Sequence, residues 1–221
     1  LPSYQHLIYD LNSKSQSLDL VGALFNSTFA SNPRLETILQ NKTVFLPVDA
    51  NFLQYFNQVE LDYLTGTLFY DEEMAVLKKF KHSKEWLYDK LFLIKKLVVE
   101  GFHGGILPAK DLTNMNGEIL EFHTEESGAL MVINGSNSVY SNLVYNKGVV
   151  HTFQDLDFLG HGISFNAEKY LLGLNCFHFV KELYVRNLQH LIIGEDHQNN
   201  ITIFVPEDSG NDLFGLTRSG L

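Results

Sequence analysis

The sequence predicts an α+β fold, with helices in its first half and short antiparallel strands after them. Three observations lead to this prediction. Before Gly101, apolar residues recur every three or four positions, as on one face of a helix. After Gly101, apolar and polar residues alternate, as in half-buried strands. The segment Thr43–Phe52 (TVFLPVDANF) returns, altered, at Thr202–Phe214 (TIFVPEDSGNDLF), so the chain of 221 residues contains a repeat.

Helices are predicted on both sides of the first copy of the repeat. Residues 18–29 carry apolar side chains at helical spacing until Asn32-Pro33 interrupts the pattern. A shorter helical piece at 34–39 leads into the repeated segment. Another helix is predicted at 83–97, with Ser83 available as its cap.

The repeated segment predicts a strand that turns directly into a short helix. The run Val44-Phe45-Leu46 suits a buried strand, and Pro47 fits only where the ladder needs no donor. Asp49 is a good N-cap for a helix that starts at Ala50. The second copy has the same order of residue types and receives the same interpretation.

The strands after Gly101 are predicted to form a β-meander joined by tight turns. Asn134-Gly135 is a strong signal for a two-residue hairpin, because both residues accept the positive φ angles of a type I′ turn. The predicted strands are Glu118–His123, Ala129–Ile133, Ser138–Tyr140, Asn142–Tyr145 and Gly148–Phe153. The Thr43 strand is expected to complete their sheet.

Two motifs carry a family resemblance. The Thr43 segment resembles the first motif of fasciclin I (FAS1) domains, Thr-x-Phe-x-Pro-x-Asp-x-x-Phe. Residues 146–158 are similar to the second motif, Asn-Gly-x-x-His-x-Ile-Asp-x-x-Leu, with one inserted lysine and the aspartate shifted by one position. The box residues are Thr43, Phe45, Pro47, Asp49, Phe52, Asn146, Gly148, His151, Asp155, Thr202, Phe204, Pro206 and Asp208.

The resemblance implies a FAS1-like β-sandwich or wedge with flanking helices. It places one domain at 1–160 and the opening of a second repeat, its N-terminal helices and first box only, at 166–221. A lone box strand cannot satisfy its own ladder. The second segment is therefore either part of a longer chain or docked on the first domain through Phe177, Val180, Leu183 and Leu188.

Composition excludes several classes of function. The net charge is −10 and no run of basic residues follows a phosphate backbone, so nucleic acid is not an expected partner. No apolar stretch reaches the ~18 residues that a membrane span requires. The single cysteine, Cys176, excludes an internal disulfide framework. We expect no cofactor.

The resemblance implies a non-enzymatic module for cell adhesion or protein interaction. It would belong to the secretory pathway, at the cell surface, in the matrix or wall, or in an endomembrane lumen, free or anchored through segments outside this chain. Its partners would be a protein or glycan and neighbouring FAS1 repeats. Adhesive FAS1 domains carry a Tyr-His pair before Val-Val-x-Gly. Lys96-Leu97 stands there instead, which argues against integrin binding.

The sequence also suggests two alternative functions and one cluster of candidate metal ligands. A hydrolase would use His103 or His151, because His103-Gly104-Gly105 is similar to the oxyanion loop of esterases, although Gly-x-Ser-x-Gly is absent. A carrier of a small apolar ligand is the second alternative. His151, Asp155, Asp157 and His161 have the chemistry of metal ligands but lie on an almost linear segment, so we interpret them as a chance cluster.

Four Asn-x-Ser/Thr sequons are candidates for glycosylation, at Asn26, Asn41, Asn134 and Asn200. At Asn134 the predicted hairpin turn leaves little room for the transferring enzyme.

Overall fold

The computed structural model describes residues 1–14, 17–66, 85–194 and 201–206. A 3-10 helix covers Pro33–Leu39, and a short 3-10 turn covers Glu126–Gly128. The α-helices of these ranges are α1 (Tyr4–Ser13), α2 (Asp19–Ser31), α3 (Asp49–Tyr55), α4 (Gln58–Thr65), α5 (Glu85–Lys96), α6 (Ala167–Gly173), α7 (Phe177–Val185) and α8 (His190–Ile193). Ser83, the predicted cap of the 83–97 helix, lies outside the described residues.

The strands form two four-stranded sheets. One sheet has the order β2-β1-β8-β7 and the other β3-β4-β5-β6. The strands are β1 (Lys42–Pro47), β2 (Val98–Glu100), β3 (Lys110–Thr113), β4 (Ile119–Glu125), β5 (Leu130–Ile133), β6 (Ser136–Asn137), β7 (Leu143–Tyr145) and β8 (Gly148–Phe153). Helices plus two small sheets confirm the predicted α+β class.

The prediction of one continuous meander was wrong. Strands β3 to β6 form a meander, but β7 and β8 belong to the other sheet, because β8 pairs in parallel with β1. Residues 138–140 are not a strand; they carry the chain from one sheet to the other. Ser138 makes a single bridge to Phe153, and the Val139 N–H donates to the Thr152 carbonyl at 2.7 Å.

The Asn134-Gly135 turn forms as predicted. Both residues have positive φ, 49° and 80°, and Ile133 faces Ser136 across the closing pair of β5 and β6.

Strand β1 is the centre of its sheet and is buried on both faces. It lies between antiparallel β2 and parallel β8, and Thr43 to Pro47 are all buried. This double burial explains why its apolar run is continuous rather than alternating. Gly148 begins β8 where a Cβ would lie 2.0 Å from the Lys42 carbonyl oxygen, so the close approach of these strands requires glycine.

Asp49 caps a different helix from the one predicted. It is the first residue of α3, and Val48 occupies the N-cap position without a side-chain bond. The Asp49 carboxylate instead accepts hydrogen bonds from the Ser17 hydroxyl (2.5 Å) and from the Leu20 N–H (2.8 Å). The aspartate thus satisfies a free donor at the start of α2 from across the fold.

Helix α5 buries two lysines, which is unusual for this residue type. Lys96 forms an ion pair with Glu118 at 2.9 Å. Lys90 is 0% exposed and donates to the Ser27 hydroxyl (2.6 Å) and the Gly66 carbonyl (2.8 Å). Burial lowers the pKa of Lys90 to about 7.

The helices after residue 160 pack on the first unit. Helix α6 lies on α4, where Tyr170 donates to Glu60 at 2.8 Å and Gly173 allows contact with Val59. Lys169 pairs with Asp89 of α5 at 2.8 Å. The boundary between two repeats at this point remains a prediction.

The four residues predicted to dock on the first domain differ in how deeply they are buried. Val180 is buried, Phe177 and Leu183 are partly buried against the core, and Leu188 is 38% exposed. Helix α6, which makes the direct contact with α4, was not among them.

The second copy of the box does not repeat the structure of the first. Residues 201–206 form no strand, and Phe204 is 89% exposed, although Ile203 and Val205 pack against the core. Strand β1 has two flanking strands, whereas the described part of the chain supplies none to 202–206. Asp208, the last box residue, lies outside the described residues. Among the helices that are described, none is long and apolar enough to cross a bilayer.

Candidate interaction site

The first box anchors the loop that follows β2. The Thr43 hydroxyl donates to the Gly101 carbonyl and accepts from the His103 N–H, both at 2.8 Å. Thr43 itself is 0% exposed. A single buried hydroxyl therefore fixes the start of the 101–106 loop.

The second box holds the same loop through His151. Its Nδ1 accepts from the Asn142 N–H at 3.0 Å, so the ring proton of the neutral form is on Nε2, which donates to the His103 carbonyl at 2.7 Å. The ring stacks beside Phe45, with centroids 6.4 Å apart. Burial lowers the pKa of His151 to about 4, so the imidazole is neutral near pH 7.

Asn142 joins this loop to a second loop. Its Oδ1 accepts from the Gly105 N–H at 2.6 Å, and its Nδ2 donates to the Gly128 carbonyl at 2.8 Å. Its own φ is 58°, a left-handed conformation that asparagine tolerates.

The second loop is a left-handed turn. Glu126, Ser127 and Gly128 have φ angles of 50°, 56° and 89°. A Cβ on Gly128 would lie 2.6 Å from the carbonyl carbon of Gly105. Both the backbone conformation and the close approach therefore require glycine at 128.

Together these loops and the β7–β8 hairpin enclose an open groove of about 610 Å³, called here the Phe102 groove. Phe102 is 61% exposed and Val144 is 48% exposed, and Ile106, the last residue of the loop, is 75% exposed. The lining is formed by Phe102, Gly104, Gly105, Ser127, Gly128, Ala129, Asn142, Val144 and Val149. The groove thus has an apolar, solvent-facing rim on a hydrogen-bonded frame.

We compared the sequence with family models and with known proteins. No family model matches the sequence. The chain is 36% identical, over its whole length, to a FAS1 domain-containing protein of Saccharomyces cerevisiae. This similarity over the whole chain confirms the predicted resemblance to FAS1 domains. It spans 24% of the length of that yeast FAS1 protein.

A solved FAS1 domain pair, from the insect cell adhesion molecule fasciclin I, aligns with 92% of this chain and 64% of that chain. The TM-score is 0.40 and the sequence identity is 11%.

The described FAS1 box residues are not among those that line the groove, and most of them belong to the core or to turns. Phe45, Pro47 and Phe52 are buried. Asn146 is exposed, and its N–H donates to the Pro2 carbonyl at 2.8 Å. Asp155 is exposed, and its backbone carbonyl accepts a hydrogen bond from the Ser136 hydroxyl of β6.

The candidate catalytic and metal residues do not form a reactive cluster. Both ring nitrogens of His151 bond to backbone groups, and Nε2 of His103 lies 2.8 Å from the Glu100 carbonyl. In the ranges that the structure describes, no three histidine, cysteine, aspartate or glutamate side chains converge as a metal site. Asp157 instead accepts from Asn134 at 3.1 Å.

Lys96 and Leu97, which replace the Tyr-His pair of adhesive FAS1 domains, point into the protein. Each is 0% exposed. A partner on the surface therefore meets neither side chain.

The sequons differ in their accessibility. Asn26 and Asn41 are exposed. Asn134 is partly buried, and its Oδ1 accepts from the Glu121 N–H at 2.8 Å. Asn200 lies outside the described residues.

Sequence reasoning missed the groove. Its key residues are Phe102, Gly128, Asn142 and Val144, and none was singled out. The available signal was the cluster of glycine and asparagine residues that tolerate positive φ, but such residues indicate turns without indicating which turns meet.

Proposed function

We propose that this chain is a non-enzymatic interaction module that binds a protein partner at the Phe102 groove. The observation that carries the proposal is the exposed apolar rim, with Phe102 at 61% and Val144 at 48% exposure on a frame of buried hydrogen bonds. Clustered exposed apolar side chains are typical of interaction surfaces. A fixed frame lowers the entropy that binding costs.

The similarity to FAS1 domains supports the absence of a reaction, because FAS1 domains are generally non-enzymatic. The geometry of the histidines points the same way. A general base needs a ring nitrogen free to take a proton, and both nitrogens of His151 are already engaged. Nε2 of His103 bonds to the Glu100 carbonyl and not to the side chain of a serine, threonine or cysteine.

We place the module in the secretory pathway, at a cell surface, in a matrix or wall, or in an endomembrane lumen. Its partners would be a protein or a glycan-bearing protein and neighbouring FAS1 repeats. The sequons and the family support this location, and the partners of the whole protein belong to the same proposal because the chain matches only 24% of its yeast relative.

The test is attachment of cells to surfaces coated with equal amounts of purified protein. Phe102→Ser should weaken attachment about tenfold, since a central aromatic contributes about 1.4 kcal/mol or more to binding. Tyr9→Ser is the matched control, because Tyr9 is also a highly exposed aromatic (71%) and lies on α1. Circular dichroism should show that both variants are folded.

Each outcome is informative. If the wild-type coating retains no more cells than an albumin coating, the proposal that this module binds a partner on the cell surface is wrong. If Phe102→Ser attaches cells as well as Tyr9→Ser, the groove is not the binding surface. A small apolar molecule retained through purification, and lost from Phe102→Ser, would instead favour the carrier of an apolar ligand.

A further inference from the structure

Asn41 occupies an exposed turn between the 3-10 helix and β1. Its φ is 55°, and its backbone is fully engaged: the N–H donates to the Lys147 carbonyl at 2.8 Å and the carbonyl accepts from the Gly101 N–H at 2.9 Å. The fold therefore uses the backbone of Asn41 and leaves its side chain to solvent. A group attached at Nδ2 would displace no side-chain hydrogen bond to the residues that the structure describes.

Asn134 has the opposite arrangement. Its Oδ1 accepts from Glu121, and its Nδ2 donates to Asp157 at 3.1 Å, so the amide itself ties the β5–β6 turn to its neighbours. A sugar on this nitrogen would crowd the contact with Asp157. The two sequons thus have the same motif and contrasting structural roles.

We propose that Asn41 carries an N-linked glycan that stands beside the Phe102 groove, and that Asn134 carries none. The proposal rests on the secretory location given above. In the transfer, Nδ2 of Asn41 forms a bond to C1 of an oligosaccharide while the bond from C1 to a lipid diphosphate breaks. The lipid diphosphate leaves, and the amide loses one proton.

The glycan would lie at the Phe102 end of the groove. The Asn41 carbonyl bonds directly to the Gly101 N–H, and Phe102 is the next residue. A partner would then approach Phe102 from the side of Val144. A glycan at this place would also shield part of the apolar rim of the Phe102 groove from solvent when no partner is bound.

The structure also implies that the oligosaccharide must be transferred to Asn41 before the chain folds. The sequon is read through the hydroxyl of Thr43, which is 0% exposed and makes hydrogen bonds to Gly101 and His103. Once β1 has formed, that hydroxyl is inaccessible. A chain that has already folded should therefore not be a substrate.

The experiment expresses the full chain behind a secretory leader in yeast cells. The glycans are trimmed to one N-acetylglucosamine, and each sequon peptide is examined by mass spectrometry. We expect the added mass on the Asn41 peptide and an unmodified Asn134 peptide. Asn41→Asp, which retains the left-handed backbone, should lower the number of glycans by one. Thr43→Ser should keep the glycan.

An unmodified Asn41 in secreted protein would overturn the proposal, and so would a glycan on Asn134. Because the leader imposes the pathway, failure here concerns the site alone. The proposed location is tested separately, by fractionating cells that make the native protein. In a second arm, chain folded without glycan is offered to microsomes, and modification of Asn41 there would contradict the order of transfer and folding.

Discussion

The Thr43 hydroxyl lies 2.8 Å from the backbone nitrogen of His103, 60 residues further along the chain. Thr43→Val keeps the shape of the side chain but leaves the His103 N–H and the Gly101 carbonyl without this partner. We expect a loss of about 1–3 kcal/mol in the free energy of unfolding. The amide of His103 should also exchange its hydrogen faster. Thr113→Val, on an exposed position of β3, is the control and should change neither quantity.

Removal of the aromatic ring at the centre of β1 should be severe. Phe45 is 0% exposed and contacts the rings of His151 and Phe153. Phe45→Ala should cost about 3–5 kcal/mol, measured by urea unfolding. Phe102→Ala, at a residue 61% exposed, should change stability by about 0.5 kcal/mol or less. Equal effects of the two substitutions would contradict the central place of β1.

The lowered pKa of His151 should make the free energy of unfolding depend on pH. Its pKa is about 4 in the folded protein and near 6.5 when unfolded, so the unfolded chain binds more protons between these values. The contribution is fully present above about pH 6.5 and is lost as the pH falls toward 4, by about 1.4 kcal/mol per pH unit. The free energy of unfolding should be measured across this window in wild type and in His151→Gln. A wild-type slope no steeper than that of the variant would refute the assignment.

The approach of the two groove loops is tested by a pair of glycines. Gly128 and Gly117 have similar φ angles, 89° and 82°, but only Gly128 lacks room for a Cβ. Gly117→Ala should cost about 1–2 kcal/mol for its left-handed backbone. Gly128→Ala should cost about 1–3 kcal/mol more, because it also pushes against Gly105. Thermal unfolding compares them, and equal costs would mean that the loops separate easily.

The contact of α6 with α4 is tested at Gly173. A Cβ there would lie 2.3 Å from the Val59 carbonyl oxygen, so Gly173→Ala should lower the free energy of unfolding by about 1–3 kcal/mol. Gly22→Ala in α2 is the control, because its Cβ would meet Ile8 at an ordinary 3.5 Å. It should leave stability unchanged or raise it by up to about 1 kcal/mol. If both variants unfold alike, the helices after residue 160 are not part of the first unit's core.

Local patterns predicted the elements of this fold better than their partners. The Asn134-Gly135 turn and the burial of Phe45 follow from the types of residue in their local segments, and both agree with the structure. The pairing of β8 with β1 does not follow, because parallel pairing joins segments far apart in sequence and leaves no local signal. The same limit explains Asp49: a cap was predicted from its residue type, but the helix it caps was set by tertiary contact.

The site was harder to predict than the fold. The boxes indicated Thr43 and His151, and these residues do hold the groove loop. The rim residues Phe102 and Val144 have no motif of their own. An apolar residue on an alternating strand is normally interpreted as core, and only the two-sheet arrangement leaves Val144 on an exposed edge strand.

The parallel pairing of β1 with β8 also sets the order in which the chain can fold during synthesis. Lys42 pairs with Gly148, so the central strand waits for more than a hundred residues to emerge from the ribosome before its main partner exists. Such distant contacts slow folding, because the loop must close before the pairing stabilises it. In that interval the apolar strand is open to mispairing or to chaperones. In a protein built from successive units of this kind, each unit would complete its sheet only as the next begins to be translated.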